Sequence, residues 1–237
     1  MADSIAARIE RVQERIHTAC ARCGRTREEV SLMAVTKFQS PQDVQAAWDA
    51  GIRLFGESRV QEAEAKFSAD GSVSGIRAGS ELHLIGSLQR NKAKAAAALF
   101  DCVQSVDRES LIDTLGNSTI AWERPLMLLL EYRTGEETKA GFQSHDSLFR
   151  AAERAMAFPG LALAGLMTMA PFTDDTAAVR AAFRDLAAAR DGLARRFPVA
   201  GGWRCLSMGM SGDFEIAIEE GSTMVRIGTA LFGERGA

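Results

Sequence analysis

No apolar run in this 237-residue chain approaches the ~20 residues that cross a bilayer, so no membrane partner is expected. Charges interrupt the N-terminus from Asp3 onward and leave no apolar stretch of the kind a signal peptide carries, which points to a cytoplasmic protein. A basic excess is missing too. Against 31 Asp and Glu stand only 28 Lys and Arg, a formal net charge of −3, whereas general phosphate-backbone binding needs a basic surface. Nucleic acid is therefore not an expected partner. The four cysteines, Cys20, Cys23, Cys102 and Cys205, are too few to form a disulfide framework in a chain of this size. Cys20 and Cys23 make the single CxxC, with His17 three residues earlier, but no fourth ligand of matching spacing follows. The pair also closes a helix before Gly24, whereas a redox CxxC opens one, where the helix dipole favours thiolate. Reduced cysteines and no metal site are expected.

What is present is organised around Leu32-Met33-Ala34-Val35-Thr36-Lys37, a short apolar run ending in a lysine. A helix-start signal follows at once: Ser40 suits the cap, Pro41 the first helical position, and Asp43 the electropositive first turn. A strand thus delivers Lys37 to its C-terminal end, the edge where parallel α/β folds bind ligands. A lysine there is either a solvated strand end or an amine held in a pocket for Schiff-base chemistry.

The pattern repeats along the chain. A first helix over about 4–23 carries Ile5, Ile9, Val12 and Ile16 at helical spacing. Further strands are expected at Ile52 to Phe55, Leu82 to Ile85, Cys102 to Val106, Leu126 to Glu131, Leu161 to Leu166, Trp203 to Ser207 and Thr223 to Ile227. Helical patterns alternate with them, and a polar loop over 134–141 follows the fifth strand. Eight strand–helix units in a chain near 250 residues are what a (β/α)₈ TIM barrel requires, here as a single domain over 1–237 with an extra N-terminal helix. Spacing alone leaves a doubly wound open sheet as the alternative.

The last two loops sharpen the barrel reading. Leu206-Ser207-Met208-Gly209-Met210-Ser211-Gly212 follows strand seven, and Arg226-Ile227-Gly228-Thr229-Ala230 ends strand eight. Barrels commonly build phosphate sites from these two loops. Gly209, Gly212 and Gly228 allow close backbone approach, while Ser207 and Thr229 supply hydroxyl donors. Tight turns alone would also explain these small residues. Arg226 shares a strand face with Met224 and Gly228, so a guanidinium stands among apolar or small neighbours and calls for a carboxylate or ligand partner. An amine, a phosphate cradle and an arginine at one barrel end describe a site for an aldehyde that carries a phosphate.

These residues resemble a known family. Ala34-Val35-Thr36-Lys37, Phe55-Gly56-Glu57-Ser58-Arg59-Val60-Gln61-Glu62, His83-Leu84-Ile85-Gly86-Ser87-Leu88-Gln89-Arg90-Asn91-Lys92, Gly165-Leu166-Met167-Thr168, Leu206 to Ser211 and Gly221 to Gly228 occur in family-like order and spacing. Over nearly its whole length the chain is similar to the pyridoxal phosphate homeostasis proteins, single-barrel relatives of the alanine racemase N-terminal domain. The resemblance implies pyridoxal 5′-phosphate (PLP) as cofactor, held as a covalent aldimine on Lys37. It implies that Ser207, Gly228 and Thr229 bind the phosphate, that Arg226 faces the pyridine nitrogen, and that Ser58 lines the cofactor where the family usually has asparagine. Gln104 stands where a histidine is common. PLP-dependent apoenzymes as recipients, and a monomeric carrier, belong to the same implication.

Chemistry bears on whether such a protein turns anything over. Most PLP enzymes place a carboxylate at the pyridine nitrogen and so strengthen the electron sink. Arg226 would weaken it. Racemases resembling this barrel tolerate an arginine there but use a tyrosine from another domain, and this sequence has one tyrosine, Tyr132, at the end of strand five. The chain ends one short helix after strand eight, so no second domain is expected to supply a partner. His83, read at the start of its strand, and His145, at a helix start, are poorly placed for acid–base work. No catalytic residue is assigned. A PLP carrier or buffer without turnover is the expectation; a fold-type III racemase or decarboxylase and a Schiff-base aldolase acting on a sugar phosphate are the competitors.

Overall fold

The computed structural model describes residues 3–119, 124–134, 140–198 and 202–233. Eight parallel strands close into a barrel in sequence order: β1 (Ser31–Val35), β2 (Leu54–Glu57), β3 (Glu81–Leu84), β4 (Cys102–Val106), β5 (Leu126–Glu131), β6 (Leu161–Met167), β7 (Cys205–Ser207) and β8 (Met224–Ile227). Closure pairs β1 with β8, so the barrel has no free edge strand. The ring around it consists of α2 (Pro41–Asp49), α3 (Val60–Phe67), α4 (Ala93–Leu99), α5 (Glu109–Thr119), α6 (His145–Met156), α7 (Thr176–Arg196), α8 (Phe214–Glu219) and α9 (Thr229–Phe232). The open-sheet alternative is thereby removed.

Ahead of the barrel, α1 (Ile5–Arg22) packs on α2, α8 and α9, across the seam where first and last strands meet. Its buried stripe is Ile9, Val12, Ile16, Ala19 and Cys20. Each large aliphatic side chain buried there contributes about 1.5–3 kcal/mol. Ser40 caps α2 as expected: its hydroxyl accepts the Asp43 N–H at 3.1 Å, and the Asp43 carboxylate reaches back to the Ser40 N–H.

Several strand ends shift by one or two residues from the sequence expectation, and at three of them the cause is visible. Ile52 stays outside β2 because its N–H closes the end of α2 on the Ala47 carbonyl at 3.0 Å, while its side chain is buried. Trp203 stays outside β7; it takes a left-handed φ of 61° and its indole donates to the Phe197 carbonyl at 2.8 Å. Hydrophobicity marked both as core residues but did not distinguish a strand from the turn before it. In β1 the ladder stops at Val35, and Gln39 N–H returns to the Thr36 carbonyl at 3.0 Å, so Lys37 lies in a turn beyond the strand.

The large apolar core lies between strands and helices, whereas the barrel interior is narrow and mixed. Cys102, Leu129 and Met167 form a small apolar layer with Met127, Ala164 and Cys205. Gly56 makes room in this interior, since a Cβ there would sit 2.6 Å from Met33 Sδ. Beyond the apolar layer the interior contains His83, Gln104, Ser207 and Arg226, all buried.

Candidate functional site

A cavity of about 490 Å³ opens at the C-terminal mouth of the barrel. Its wall includes Lys37, Ser58, Glu131, Ser211, Arg226, Gly228 and Thr229. Strand ends and βα loops bring these residues together from five different parts of the chain, as the barrel geometry requires. A wider hollow of about 900 Å³ lies at the opposite face and contains Arg27, Arg53, Arg77 and Arg124. Those guanidinium groups are already engaged: Arg77 and Arg124 pair with Asp101, and Arg27 and Arg53 donate to nearby carbonyls.

The turn bearing Lys37 is held from behind. Thr36 donates its hydroxyl to Glu57 at 2.8 Å, and Lys66 Nζ donates to Glu57 at 3.0 Å, to Glu62 at 2.8 Å and to the Thr36 carbonyl at 2.7 Å. Phe38, at φ 64°, donates its N–H to Glu62. Burial pushes the Glu57 carboxyl up, and Lys66 and Thr36 pull it back. Buried ion pairs of this kind contribute little net stability but penalise any rearrangement that separates them. The network therefore fixes where Lys37 leaves the backbone. Lys37 itself is half-buried, and among the described residues its amine has no hydrogen bond or ion pair.

Arg226 reaches into the same cavity from β8 and is 4 % exposed. Its Nη1 donates to the Ser207 carbonyl at 2.6 Å and the Ser207 hydroxyl at 2.8 Å, and its Nη2 donates to the Thr168 carbonyl at 2.8 Å. Neutral acceptors thus hold the guanidinium against the wall, and no carboxylate hydrogen-bonds to it among the described residues. Burial lowers its pKa to about 10, with Asp213 and Glu131 opposing, so it remains cationic at neutral pH.

Ser207 differs from the sequence expectation. Its side chain points along the barrel interior, fully buried, where it donates to Gln104 Oε1 at 2.7 Å and accepts from Arg226; it is not on the cavity wall. Gln104 Nε2 continues the chain to His83 Nδ1 at 2.8 Å. His83 Nε2 faces Glu81 at 3.4 Å and makes no hydrogen bond among the described residues. His83 is thus an internal structural group remote from the mouth. The hydroxyl that does line the cavity on this side is Ser211, whose Oγ accepts the Ala230 N–H at 3.2 Å and so ties the seventh loop to the eighth. With Gly212, Gly228 and Thr229 it forms the small, polar corner of the wall. The Ser211-Gly212 step was the available sequence signal, since Ser211 lies four residues beyond the strand end rather than on it.

Ser58 lies on the opposite wall, where Gly86 permits the third loop to approach; a Cβ at Gly86 would sit 2.3 Å from the Ser58 carbonyl. Glu131 was not singled out from the sequence. It ends β5 with its carboxyl facing the cavity, is 5 % exposed, and has no side-chain hydrogen bond among the described residues. Burial raises its pKa to about 7, Asp107 adds to the rise, and Arg226 opposes it. Alternation along Met127, Leu129 and Glu131 carried this information. Tyr132, one residue on, faces outward: it packs on His145 at 5.8 Å between ring centroids, and burial together with Asp185 pushes its hydroxyl up to about 12. It is absent from the cavity wall.

Comparison with known proteins agrees with this architecture. The family model for the alanine racemase N-terminal domain matches residues 4–236. A pyridoxal phosphate homeostasis protein from Vibrio cholerae is 40% identical over 236 residues, covering 98% of this chain and 97% of that protein. One from Escherichia coli strain K12 is 39% identical over 237 residues, with 98% and 97% covered. The chain belongs to the pyridoxal phosphate homeostasis protein family. Among solved structures, PipY of Synechococcus elongatus, determined with PLP bound, matches with a TM-score of 0.82 at 30% identity over 97% of this chain and all of that one. Alanine racemase from E. faecalis shares the barrel at a TM-score of 0.70 and 16% identity, and this chain spans 59% of its length. That likeness is one of fold.

Proposed function

We propose that this chain, as a single domain over 1–237, binds PLP at the C-terminal mouth of its barrel and serves in cytoplasmic PLP homeostasis, carrying or buffering the cofactor without turning over a substrate. The observation that carries the reading is the donor set around one cavity: the Lys37 amine, with no hydrogen bond or ion pair among the described residues, the hydroxyls of Ser211 and Thr229, and the buried Arg226 cation. PLP offers one group to each. Its aldehyde suits an amine that forms an aldimine, its phosphate suits hydroxyls beside Gly212 and Gly228, and its pyridine nitrogen suits a cation that keeps it unprotonated. The cavity lies within the range that holds small cofactors. Ser58 completes the wall. Ser207 supports the site through Arg226 rather than by touching phosphate. The relatives' names and PLP-bound PipY support the same reading.

Two features speak for carriage over turnover. Arg226 opposes the protonated ring that an electron sink needs, and Tyr132 lies outside the cavity. The Glu131 carboxyl is the one observation favouring a racemase or decarboxylase reading, because it gives the cavity a second proton-bearing group. In the carrier reading the chain acts as a monomer and passes PLP to PLP-dependent apoenzymes.

The test is the visible spectrum of protein mixed with PLP, followed by borohydride and peptide mapping. A yellow 1:1 adduct that becomes covalent on the Lys37 peptide is the expected result. Unchanged colour and labelling in Lys37→Ala would overturn the assignment of the lysine.

A further inference from the structure

Glu131 is unusual among the buried acids of this barrel. Glu57 faces the helices and is neutralised by Lys66, whereas Glu131 faces the ligand cavity with no hydrogen bond among the described residues. Charged groups surround it on several sides. Asp107 acts on it from the end of β4 and Arg226 from β8; Lys37, in the turn after β1, lines the same cavity; Asp213, beyond β7, acts on Arg226; β6 contributes Met167, which does not titrate.

We propose that Glu131 is the proton-holding residue of this pocket: when PLP is bound, its carboxyl is protonated and donates a hydrogen bond to the phenolic oxygen of the cofactor. The inference rests on the PLP reading given above. Loading the cavity displaces water from the carboxyl and adds the negative charge of a phosphate and a phenolic oxygen, and both changes favour the neutral acid. The free protein starts close to that state, with burial and Asp107 already raising the group to about 7. Arg226 opposes this rise by its charge but makes no hydrogen bond to Glu131 among the described residues; its hydrogen bonds run to Ser207 and Thr168. A protonated carboxyl is a donor with one acceptor oxygen left over, so it matches an anionic ring oxygen where a carboxylate would repel it.

The experiment is calorimetric titration of the whole protein with PLP at pH 8, in buffers of different ionisation enthalpy, which counts protons taken up on binding. Wild type should take up about one more proton per PLP than Glu131→Gln, since glutamine keeps the shape and a donor but cannot titrate. A second variant, Glu131→Leu, should bind PLP roughly tenfold more weakly yet bind the PLP analogue without the 3-hydroxyl as well as wild type does. Equal proton counts in wild type and Glu131→Gln, with both binding 1:1, would overturn the proposal. So would equal losses of both ligands in Glu131→Leu. A flat isotherm for wild type would refute the PLP reading itself, and the inference with it.

Discussion

The Ser207 hydroxyl donates to Gln104 at 2.7 Å and accepts from Arg226 at 2.8 Å, so a residue of β4 positions the arginine of β8 across the barrel without touching the cavity. The chain extends through Gln104 to His83 at 2.8 Å. A change at position 104 is thus transmitted to the candidate cofactor site, even though neither Gln104 nor Ser207 lies on its wall.

Gln104→Leu should separate these roles. It leaves the Ser207 O–H without an acceptor and His83 Nδ1 without a donor in the buried interior, at about 1–3 kcal/mol each. Thermal unfolding is expected several degrees lower, and the absorbance of bound PLP should shift as Arg226 loses its clamp. Gln104→His, which keeps one donor and one acceptor, should restore both. An unchanged spectrum in a destabilised Gln104→Leu protein would confine the chain to stability.

The Ser211 corner of the cavity makes a paired prediction. Ser211→Ala removes a hydroxyl from the cavity wall, and a hydrogen bond to a charged group is worth about 1.5–3 kcal/mol, or roughly 10- to 100-fold in PLP affinity. Ser207→Ala should instead lower the melting temperature and shift the spectrum, with a smaller loss of affinity. Measuring both constants by fluorescence titration decides which serine binds phosphate; the reverse order would return the role to Ser207.

Glu131 should leave a signature in the free protein as well. Its pKa is raised from 4.5 to about 7, so the folded state holds a proton that the unfolded state has released between those values. Stability from this group is full below pH 4.5 and falls as pH rises through 7, by about 3 kcal/mol in all. Glu131→Gln should therefore match wild type near pH 4.5 and exceed it by about that amount at pH 8. Denaturant unfolding at both values checks it, and parallel pH profiles would show that the carboxyl is solvated.

Amino acids test carriage against turnover. With L- or D-alanine in deuterated water, the loaded protein should change colour as the amine reaches the cofactor, while Cα exchange stays near the rate of free PLP. A positioned acid or base typically supplies ~10²–10⁴-fold. Multiple-turnover exchange abolished by both Lys37→Ala and Glu131→Gln would make the pocket that of a racemase.

The linear sequence by itself determined the repeat of strand and helix, the Ser40 cap, the apolar stripe of α1 and the lysine at a strand end. These follow from local chemistry: side-chain periodicity, capping hydroxyls and turn residues act over a few positions. It also placed Lys37, Ser58, Arg226, Gly228 and Thr229 at strand ends that the structure gathers around one cavity. Strand boundaries at Ile52 and Trp203 escaped it, because burial rewards an apolar residue equally in a strand and in the turn beside it. The placements of Ser207, Ser211 and Glu131 were decided only by tertiary structure. Whether a hydroxyl at a strand end faces the ligand or the barrel interior depends on which partner stands across the barrel, and Gln104 lies 103 positions from Ser207 in the chain. Glu131 became a cavity group for the same reason: closing β8 onto β1 put Lys37 and Arg226 opposite an acid that, in sequence, merely ends an apolar strand.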